Sequence, residues 1–171
     1  MFRKVDDETK KRIPPGQYLT ARFPILHYGP VPRLDLETWR FRVWGEVEKS
    51  LVLTWEEFCD LPRTKLTMDI HCVTKWSKLD TTWEGVSLKT LRELGLVVPT
   101  DKARFVIQHA EFGYTANLPL DVMEAENFLL ATHYEGQPIT LNTAPLCVVS
   151  AAQFLEKTNS RMFTFGRVPN G

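Results

Sequence analysis

The stretch KLTMDIHCV, residues 65–73, alternates apolar and polar side chains at the two-residue period of a β-strand. Four residues share one parity: Leu66, Met68, Ile70 and Cys72. Side chains of one parity project from one face of a strand, and an apolar face must be buried against another layer. The chain is therefore predicted to build a packed sheet, with the cysteine pointing inward where this strand ends.

Other short segments carry either the strand period or a helical one. Trp39, Phe41 and Val43 alternate with Arg40 and Arg42, which predicts a strand that turns at the following glycine. Further strand-like runs cover residues 51–53, 104–109, 114–118, 128–134 and 146–149. Capping residues and helical spacing predict short helices near residues 54–61, 87–95 and 121–126. Strands mixed with short helices, without an internal repeat, predict the α+β class.

Length and charge limit the classes of protein to which the chain can belong. Its 171 residues are about the size of one large domain. The 21 Lys and Arg residues balance the 21 Asp and Glu residues, so net charge does not favour nucleic acid or an anionic membrane surface as a partner. The N-terminus is charged and no long apolar run follows it, which predicts a soluble, cytoplasmic protein without a membrane span.

The three cysteines, Cys59, Cys72 and Cys147, have no CxxC spacing, which disfavours a disulfide framework and a structural zinc site. Three roles suit a lone Cys72. It can fill the core, act as a reactive thiolate, or be the one protein ligand of a metal whose other ligands come from an organic cofactor. A reactive dyad with the adjacent His71 is disfavoured, because neighbouring residues of a strand face opposite ways. The residue types alone leave the three roles open.

Three collinear segments carry a resemblance to a known family. They read FPILHYGPVPRLDLETWRFRVWGEV, HCVTKWSKLDTTWEGVSL, and FGYTANLPLDVM with FLLATHYEGQPIT after it. These segments resemble the molybdopterin-binding domain of the sulfite oxidase family, especially its small bacterial branch that includes the catalytic subunit of the methionine sulfoxide reductase molybdoenzyme. The resemblance implies a sulfite oxidase-type fold of mixed β-sheets or a barrel with short helices. It also implies a molybdenum–molybdopterin cofactor.

The resemblance assigns roles to particular residues. Cys72 falls on the position of the family's molybdenum ligand, so it is expected to bind the metal and to take part in catalysis. Tyr114 falls on the active-site tyrosine, and His27 on a histidine near the cofactor. The cofactor-binding residues implied in this way are Phe23, His27, Cys72, Trp76, Ser77, His109 and Asn142.

The resemblance also divides the chain. It predicts an N-terminal extension at 1–20, a molybdopterin-binding oxidoreductase domain at 21–150 and a divergent C-terminal tail at 151–171. Cys147 stands where the family carries an arginine that would bind the phosphate of the pterin. Leu26 replaces an arginine that sulfite oxidases use for their anionic substrate, and Lys75 is the only cation just after the cysteine. Sulfite is therefore not the expected substrate.

The expected activity is oxygen-atom transfer on a small or sulfur-containing substrate, with an external electron donor or acceptor protein such as a haem protein. A second hypothesis follows from Cys147 and the altered tail: a cofactor-free binding or interaction domain, or a truncated inactive homologue with the same fold. A third uses Cys72 itself as an exposed thiolate of low pKa, in a thiol enzyme or redox sensor.

Overall fold

The computed structural model describes residues 6–23, 35–126, 128–139, 147–150 and 162–166. Its strands are β1 (Tyr18–Leu19), β2 (Arg40–Gly45), β3 (Leu51–Thr54), β4 (Thr64–His71), β5 (Trp76–Val86), β6 (Phe105–His109), β7 (Thr115–Pro119), β8 (Phe128–Tyr134), β9 (Gln137–Pro138), β10 (Cys147–Ser150) and β11 (Met162–Gly166). Its helices are α1 (Asp7–Arg12), α2 (Trp55–Cys59), α3 (Leu88–Glu93) and α4 (Leu120–Glu124). The predicted α+β class is confirmed, and in the described part of the chain the strands form two sheets, not a closed barrel.

The first sheet is organised around the long strand β5. Its order is β1-β5-β8-β10, with β4 also paired to β5 and β9 to β8. The antiparallel pairing with β4 extends along almost all of β5. On the other edge of β5, β1 pairs in parallel with Trp76 and Ser77, and β8 pairs with residues 83–86. One strand of 11 residues therefore carries three neighbours, and it places the N-terminal segment beside the β4–β5 turn.

The second sheet has the order β3-β2-β11-β6-β7. Strand β11 lies between β2, to which it is parallel, and β6, to which it is antiparallel. No strand was predicted from the sequence at Met162–Gly166, within the segment interpreted as a divergent tail. The domain boundaries themselves stay predictions.

Two helices show how local sequence sets the element ends. The Thr54 hydroxyl accepts a hydrogen bond from the Glu57 N–H at 3.2 Å, and the Glu57 carboxylate accepts one from the Thr54 N–H at 2.8 Å, so the predicted capping box is present. Helix α3 begins after its predicted cap, Ser87. It ends at Glu93, within the predicted range 87–95, and the next residue, Leu94, is 48% exposed. Within the described ranges, no helix has the length and apolarity needed to cross a membrane.

Two apolar clusters form the core of the part of the chain that the structure describes. The first cluster joins both sheets to the helices and contains Trp39, Phe41, Val43, Val47, Phe58, Val86, Leu88, Leu91, Val97, Ala103, Val106, Leu118, Met123, Phe128 and Leu130. The second cluster contains Met68, Ile70, Cys72, Trp76, Trp83, Leu129 and Ala131. Strand β8 gives alternate residues to each cluster, which explains its unbroken apolar run. The second cluster is the one that holds the cysteine.

Candidate functional site

The predicted inward face of β4 is confirmed, since Met68, Ile70 and Cys72 are all buried in the second cluster. The pairing of β4 with β5 is irregular here: Met68 pairs with Thr81, but Ile70 pairs with Lys78. Two steps along β4 thus match three steps along β5, so the extra residue of this bulge belongs to β5. Because β4 itself stays regular, its alternation brings the cysteine to the buried side.

A tight turn beginning at Cys72 joins β4 to β5. The Cys72 N–H donates to the Trp76 carbonyl at 2.9 Å, and the Lys75 N–H donates to the Cys72 carbonyl at 3.0 Å. Lys75 has a φ of 70°, in the left-handed region that most residues avoid because Cβ crowds the backbone. Both backbone groups of Cys72 are therefore held, and the thiol projects from a fixed hairpin end.

Replacing Lys75 with glycine is expected to raise the free energy of unfolding by about 0.5–1 kcal/mol, because glycine adopts a positive φ without crowding. The Lys75 side chain is exposed, so little packing is lost. Urea unfolding followed by tryptophan fluorescence measures the change. Lys65, an exposed residue of β4, supplies the matched control, and Lys65→Gly is expected to lower the free energy of unfolding. Equal losses in both variants would contradict the left-handed assignment.

The thiol of Cys72 is enclosed. Its side chain is 4% exposed, and its Sγ lies 3.1 Å from the Thr74 hydroxyl oxygen within the same turn. A thiolate that attacks substrates or senses oxidants must be accessible. The hypothesis that Cys72 acts directly as an exposed reactive thiolate is therefore contradicted by the burial of this side chain.

Four aromatic rings pack together in or against the second cluster, which also holds Cys72: Phe23, Trp76, Trp83 and Tyr134. The Phe23 ring centroid lies 5.7 Å from that of Trp76 and 5.3 Å from that of Tyr134. The Lys78 ammonium lies 5.2 Å from the Phe23 centroid, within the range of a cation–π interaction. Burial raises the pKa of Tyr134 to about 12, so its phenol stays neutral at physiological pH. The structure thus brings two predicted cofactor residues, Phe23 and Trp76, into contact beside Cys72.

Ser77, another predicted cofactor residue, faces the opposite side of the hairpin. It pairs with His71 across the two strands, and His71 Nδ1 lies 2.9 Å from the Ser77 hydroxyl oxygen. That hydroxyl donates to the side-chain carbonyl of Gln17 at 2.6 Å. Ser77 is fully buried in this polar network. Ser77 therefore stabilises the hairpin on the face opposite to the Cys72 thiol. His71 lies on that same face, as the alternation of the strand predicted.

His109 and Tyr114 lie at one end of the β6–β7 hairpin in the second sheet. The His109 ring stacks on Trp44 with centroids 5.2 Å apart and an angle of 26° between the planes. Burial lowers the pKa of His109, which favours the neutral imidazole. The Tyr114 carbonyl accepts a hydrogen bond from the Ala110 N–H at 2.8 Å, which closes the hairpin. The two residues are thus placed near each other by a single turn.

His27 and Asn142 lie outside the described residues. Cys147 is described only as the first residue of β10, where it pairs with Ala131 of β8. The catalytic and cofactor-binding roles assigned to all these residues stay predictions.

Sequence reasoning did not predict Thr74 or Gln17 as parts of the site. Thr74 stands two residues after the cysteine, and a threonine in a turn commonly bonds to a neighbouring group, so its contact had a local signal. Gln17 is 55 residues away from Cys72 along the chain, yet its side-chain amide donates to the Cys72 carbonyl at 3.3 Å. Nothing in the local sequence indicates that contact.

The side chains at this hairpin limit the kind of metal site that it can form. In the ranges that the structure describes, no group of three or more His, Cys, Asp and Glu side chains could hold a metal ion. The one thiol of the second cluster is that of Cys72, and its thiolate suits a thiophilic transition metal. The residues present therefore fit a metal that takes one thiolate from the protein and its other ligands from an organic cofactor.

Comparisons with known proteins agree with this chemistry. Residues 28–152 match the family model of the oxidoreductase molybdopterin binding domain. The uncharacterized oxidoreductase YuiH of Bacillus subtilis is 44% identical over 130 residues, which are 75% of this chain and 65% of that protein. The catalytic subunit MsrP of the protein-methionine-sulfoxide reductase of Campylobacter jejuni is 33% identical over 72 residues, 42% of this chain and 23% of the relative. The chain thus spans less than two thirds of the length of these relatives.

A solved structure shares the fold. The sulfane dehydrogenase SoxCD of Paracoccus pantotrophus matches with a TM-score of 0.67 and 17% identity, over 84% of this chain and 42% of that one. This likeness supports the predicted sulfite oxidase-type arrangement of mixed sheets with short helices. Since the family model covers most of the chain, the protein belongs to the oxidoreductase molybdopterin-binding domain family.

Proposed function

We propose that this chain is an enzyme that uses a molybdenum–molybdopterin cofactor to transfer an oxygen atom to or from a small sulfur-containing substrate. The observation that carries the proposal is the Cys72 thiol, a soft donor 4% exposed, at the end of a doubly hydrogen-bonded hairpin in a chain of the molybdopterin-binding family. When bound, the cofactor supplies two-electron redox chemistry.

The chain's own residues would hold and shield that cofactor. Cys72 provides the thiolate ligand, and the hydrogen bonds of its turn fix the direction of the Sγ atom. Phe23 and Trp76 provide an apolar wall that excludes water from the sulfur. We assign His27, His109 and Asn142 to binding of the cofactor. Ser77 stabilises the hairpin that carries Cys72. Tyr114 is assigned to donate a hydrogen bond to an oxygen of the substrate.

The proposed substrate class is a neutral sulfoxide or a related sulfur compound. Two similar proteins are named for sulfur chemistry, one as a protein-methionine-sulfoxide reductase subunit and one as a sulfane dehydrogenase. In the Cys72 turn, Val73 is 95% exposed and Lys75 is the one cation. A single lysine lacks the planar fork with which arginine binds an oxyanion, so sulfite suits this turn poorly.

Reduction of a sulfoxide consumes two electrons and two protons, and it releases a sulfide and water. An external protein, such as a haem protein, is proposed to supply or remove these electrons. A cytoplasmic location is also proposed. Cys59 and Cys72 are both free thiols in the structure, and a reducing compartment keeps thiols in that state.

Metal analysis tests the proposal. The full chain would be purified from a host that makes molybdopterin, and molybdenum and pterin would be measured per chain. The loaded protein would then be assayed for oxidation of a reduced viologen dye with methionine sulfoxide, and for reduction of ferricyanide with sulfite. We expect about one molybdenum per chain and turnover with the sulfoxide. A folded chain without metal or pterin would overturn the proposal and favour the cofactor-free binding domain suggested by Cys147.

A further inference from the structure

Residues 6–23 form a segment, called the N-terminal strap here, that runs along the β4–β5 hairpin. Its helix α1 buries no residue. Apolar packing therefore does not hold this helix in place, and polar contacts at Arg12 and at positions 17–20 attach the strap before it reaches Phe23. Three sets of such contacts all end on the hairpin that carries Cys72.

The first attachment is a double ion pair made by Arg12. Its guanidinium donates to the Asp69 carboxylate at 2.5 and 2.9 Å and to the Asp80 carboxylate at 2.6 Å. Asp69 lies in β4, and Asp80 is the left-handed residue of the β5 bulge, with a φ of 54°. Burial acts to raise the pKa of Asp69, but hydrogen bonds from Arg12 and from the Asp80 N–H outweigh it and lower that pKa. Arg12 thus ties the two strands together at the bulge.

The second attachment is the side chain of Gln17, which reaches both strands at the turn. Its amide nitrogen donates to the Cys72 carbonyl at 3.3 Å, and its amide oxygen accepts from the Ser77 hydroxyl at 2.6 Å. Ser77 is fully buried, so this acceptor satisfies a hydroxyl that water does not reach. The Gln17 amide group therefore links Cys72, which carries the thiol, to Ser77 in the following strand, β5.

The third attachment is a short backbone ladder on the same edge. The Tyr18 N–H donates to the Lys75 carbonyl at 2.9 Å, and the Thr20 N–H donates to the Ser77 carbonyl at 2.9 Å. The ladder places the strap in register with the turn. The strap then continues to Phe23, whose ring packs on Trp76 beside the thiol.

We infer that the N-terminal strap positions the Cys72 hairpin for metal binding and that Gln17 is its positioning residue. The inference rests on the proposed function, because it takes Cys72 as the metal ligand. Gln17 acts through the Cys72 backbone: it restrains the carbonyl and, with the turn hydrogen bonds, the direction of the side chain. Loss of this amide leaves the thiol in the chain but lets the hairpin end open locally.

The test compares Gln17→Met, which keeps the length of the side chain without its hydrogen bonds, with the parent chain. Metal-free full-length protein from a host that lacks molybdopterin would be alkylated, and the rate at each cysteine would be measured by peptide mass spectrometry. Cys72 is expected to react about tenfold faster in Gln17→Met, because this variant loses two hydrogen bonds that oppose local opening of the hairpin. Cys59 in α2 is the internal reference, because global unfolding would expose both thiols.

Two further variants test whether the change in Cys72 reactivity is specific to the contacts between the strap and the hairpin. Arg12→Ala removes the first attachment and is expected to change Cys72 reactivity in the same direction. Lys10→Ala removes only an exposed ion pair within α1 and is expected to have no effect. In loaded protein, Gln17→Met is expected to lose molybdenum several-fold faster on gel filtration and to alter the molybdenum–sulfur distances seen by X-ray absorption.

The outcomes separate this inference from the proposed function. The strap inference alone is overturned if the parent chain holds molybdenum while Gln17→Met changes neither the rate of Cys72 alkylation nor the retention of the metal. Parallel increases at Cys72 and Cys59 also overturn it, because they show a general loss of stability. A parent chain that holds no molybdenum overturns the proposed function and the metal role of the strap together.

Discussion

Substitution of Cys72 by serine is expected to lower the molybdenum content of the purified chain from about one atom per chain to less than about a tenth of that. A serine hydroxyl stays protonated at neutral pH and is a hard donor, whereas a thiolate is anionic and soft. Within the described residues no further metal-binding group stands ready to replace it. Loss of the sulfur therefore removes the proposed protein ligand to the metal.

The fold is expected to survive this substitution, because serine is no larger than cysteine and Thr74 can still accept or donate a hydrogen bond at that position. Elemental analysis, pterin fluorescence and circular dichroism would be compared with the parent. Cys59→Ser is the matched control: it removes the free thiol in helix α2 and should leave the molybdenum content unchanged. Full molybdenum content in Cys72→Ser would show that the metal is held elsewhere.

Strand β4 could be predicted from the sequence because its alternation is unbroken. The buried row that ends at Cys72 is present in the structure, since the bulge in its pairing with β5 lies on the partner strand. Strand β8 was also predicted with its observed bounds, Phe128–Tyr134. A run of apolar residues suits a strand that is buried on both faces, and β8 separates the two clusters. In both strands, local pattern and tertiary burial agree.

Strand β5 was not predicted, and the reason is physical. Trp76 and Trp83 both belong to the second cluster, yet one has an even number and the other an odd number. The extra residue near Asp80 shifts the phase of the strand, so no two-residue period continues from one tryptophan to the other. The strand that carries three neighbours in the first sheet therefore has no continuous sequence signal. Its existence is decided by pairing with β4.

The site was predictable only in part. Cys72 and Trp76 share one face because hairpin geometry places them there, and the resemblance identified both. Ser77 was predicted beside them, but one step along a strand turns it to the opposite face, where it bonds to Gln17. The hydrogen bonds from Arg12 and Gln17 to the hairpin join residues 55 to 68 positions apart. Such long-range pairs depend on the folded topology, which local pattern does not contain.

Gly85→Ala is expected to be the most destabilising single-methyl change in the first sheet. A Cβ at this position would overlap the Leu130 carbonyl oxygen and lie 2.7 Å from the Ala131 Cα, both of them backbone atoms of β8. Backbone atoms of a paired central strand cannot rotate away as a side chain does. Strands β5 and β8 must separate, at a cost of about 3–5 kcal/mol, a large part of the roughly 5–15 kcal/mol that stabilises a domain.

Urea unfolding followed by tryptophan fluorescence would measure this loss, with Gly136→Ala as the control. Gly136 lies in the β8–β9 turn at a φ of 72°, and a Cβ there meets no atom within 4 Å, so only backbone strain of about 1 kcal/mol is expected. Because β5 and β8 also supply Trp83, Leu129 and Ala131 to the second cluster, Gly85→Ala should lose metal even where it still folds. Equal destabilisation by the two variants would mean that β5 and β8 are farther apart at Gly85 than their pairing requires, and the packing around Cys72 would then have to be revised.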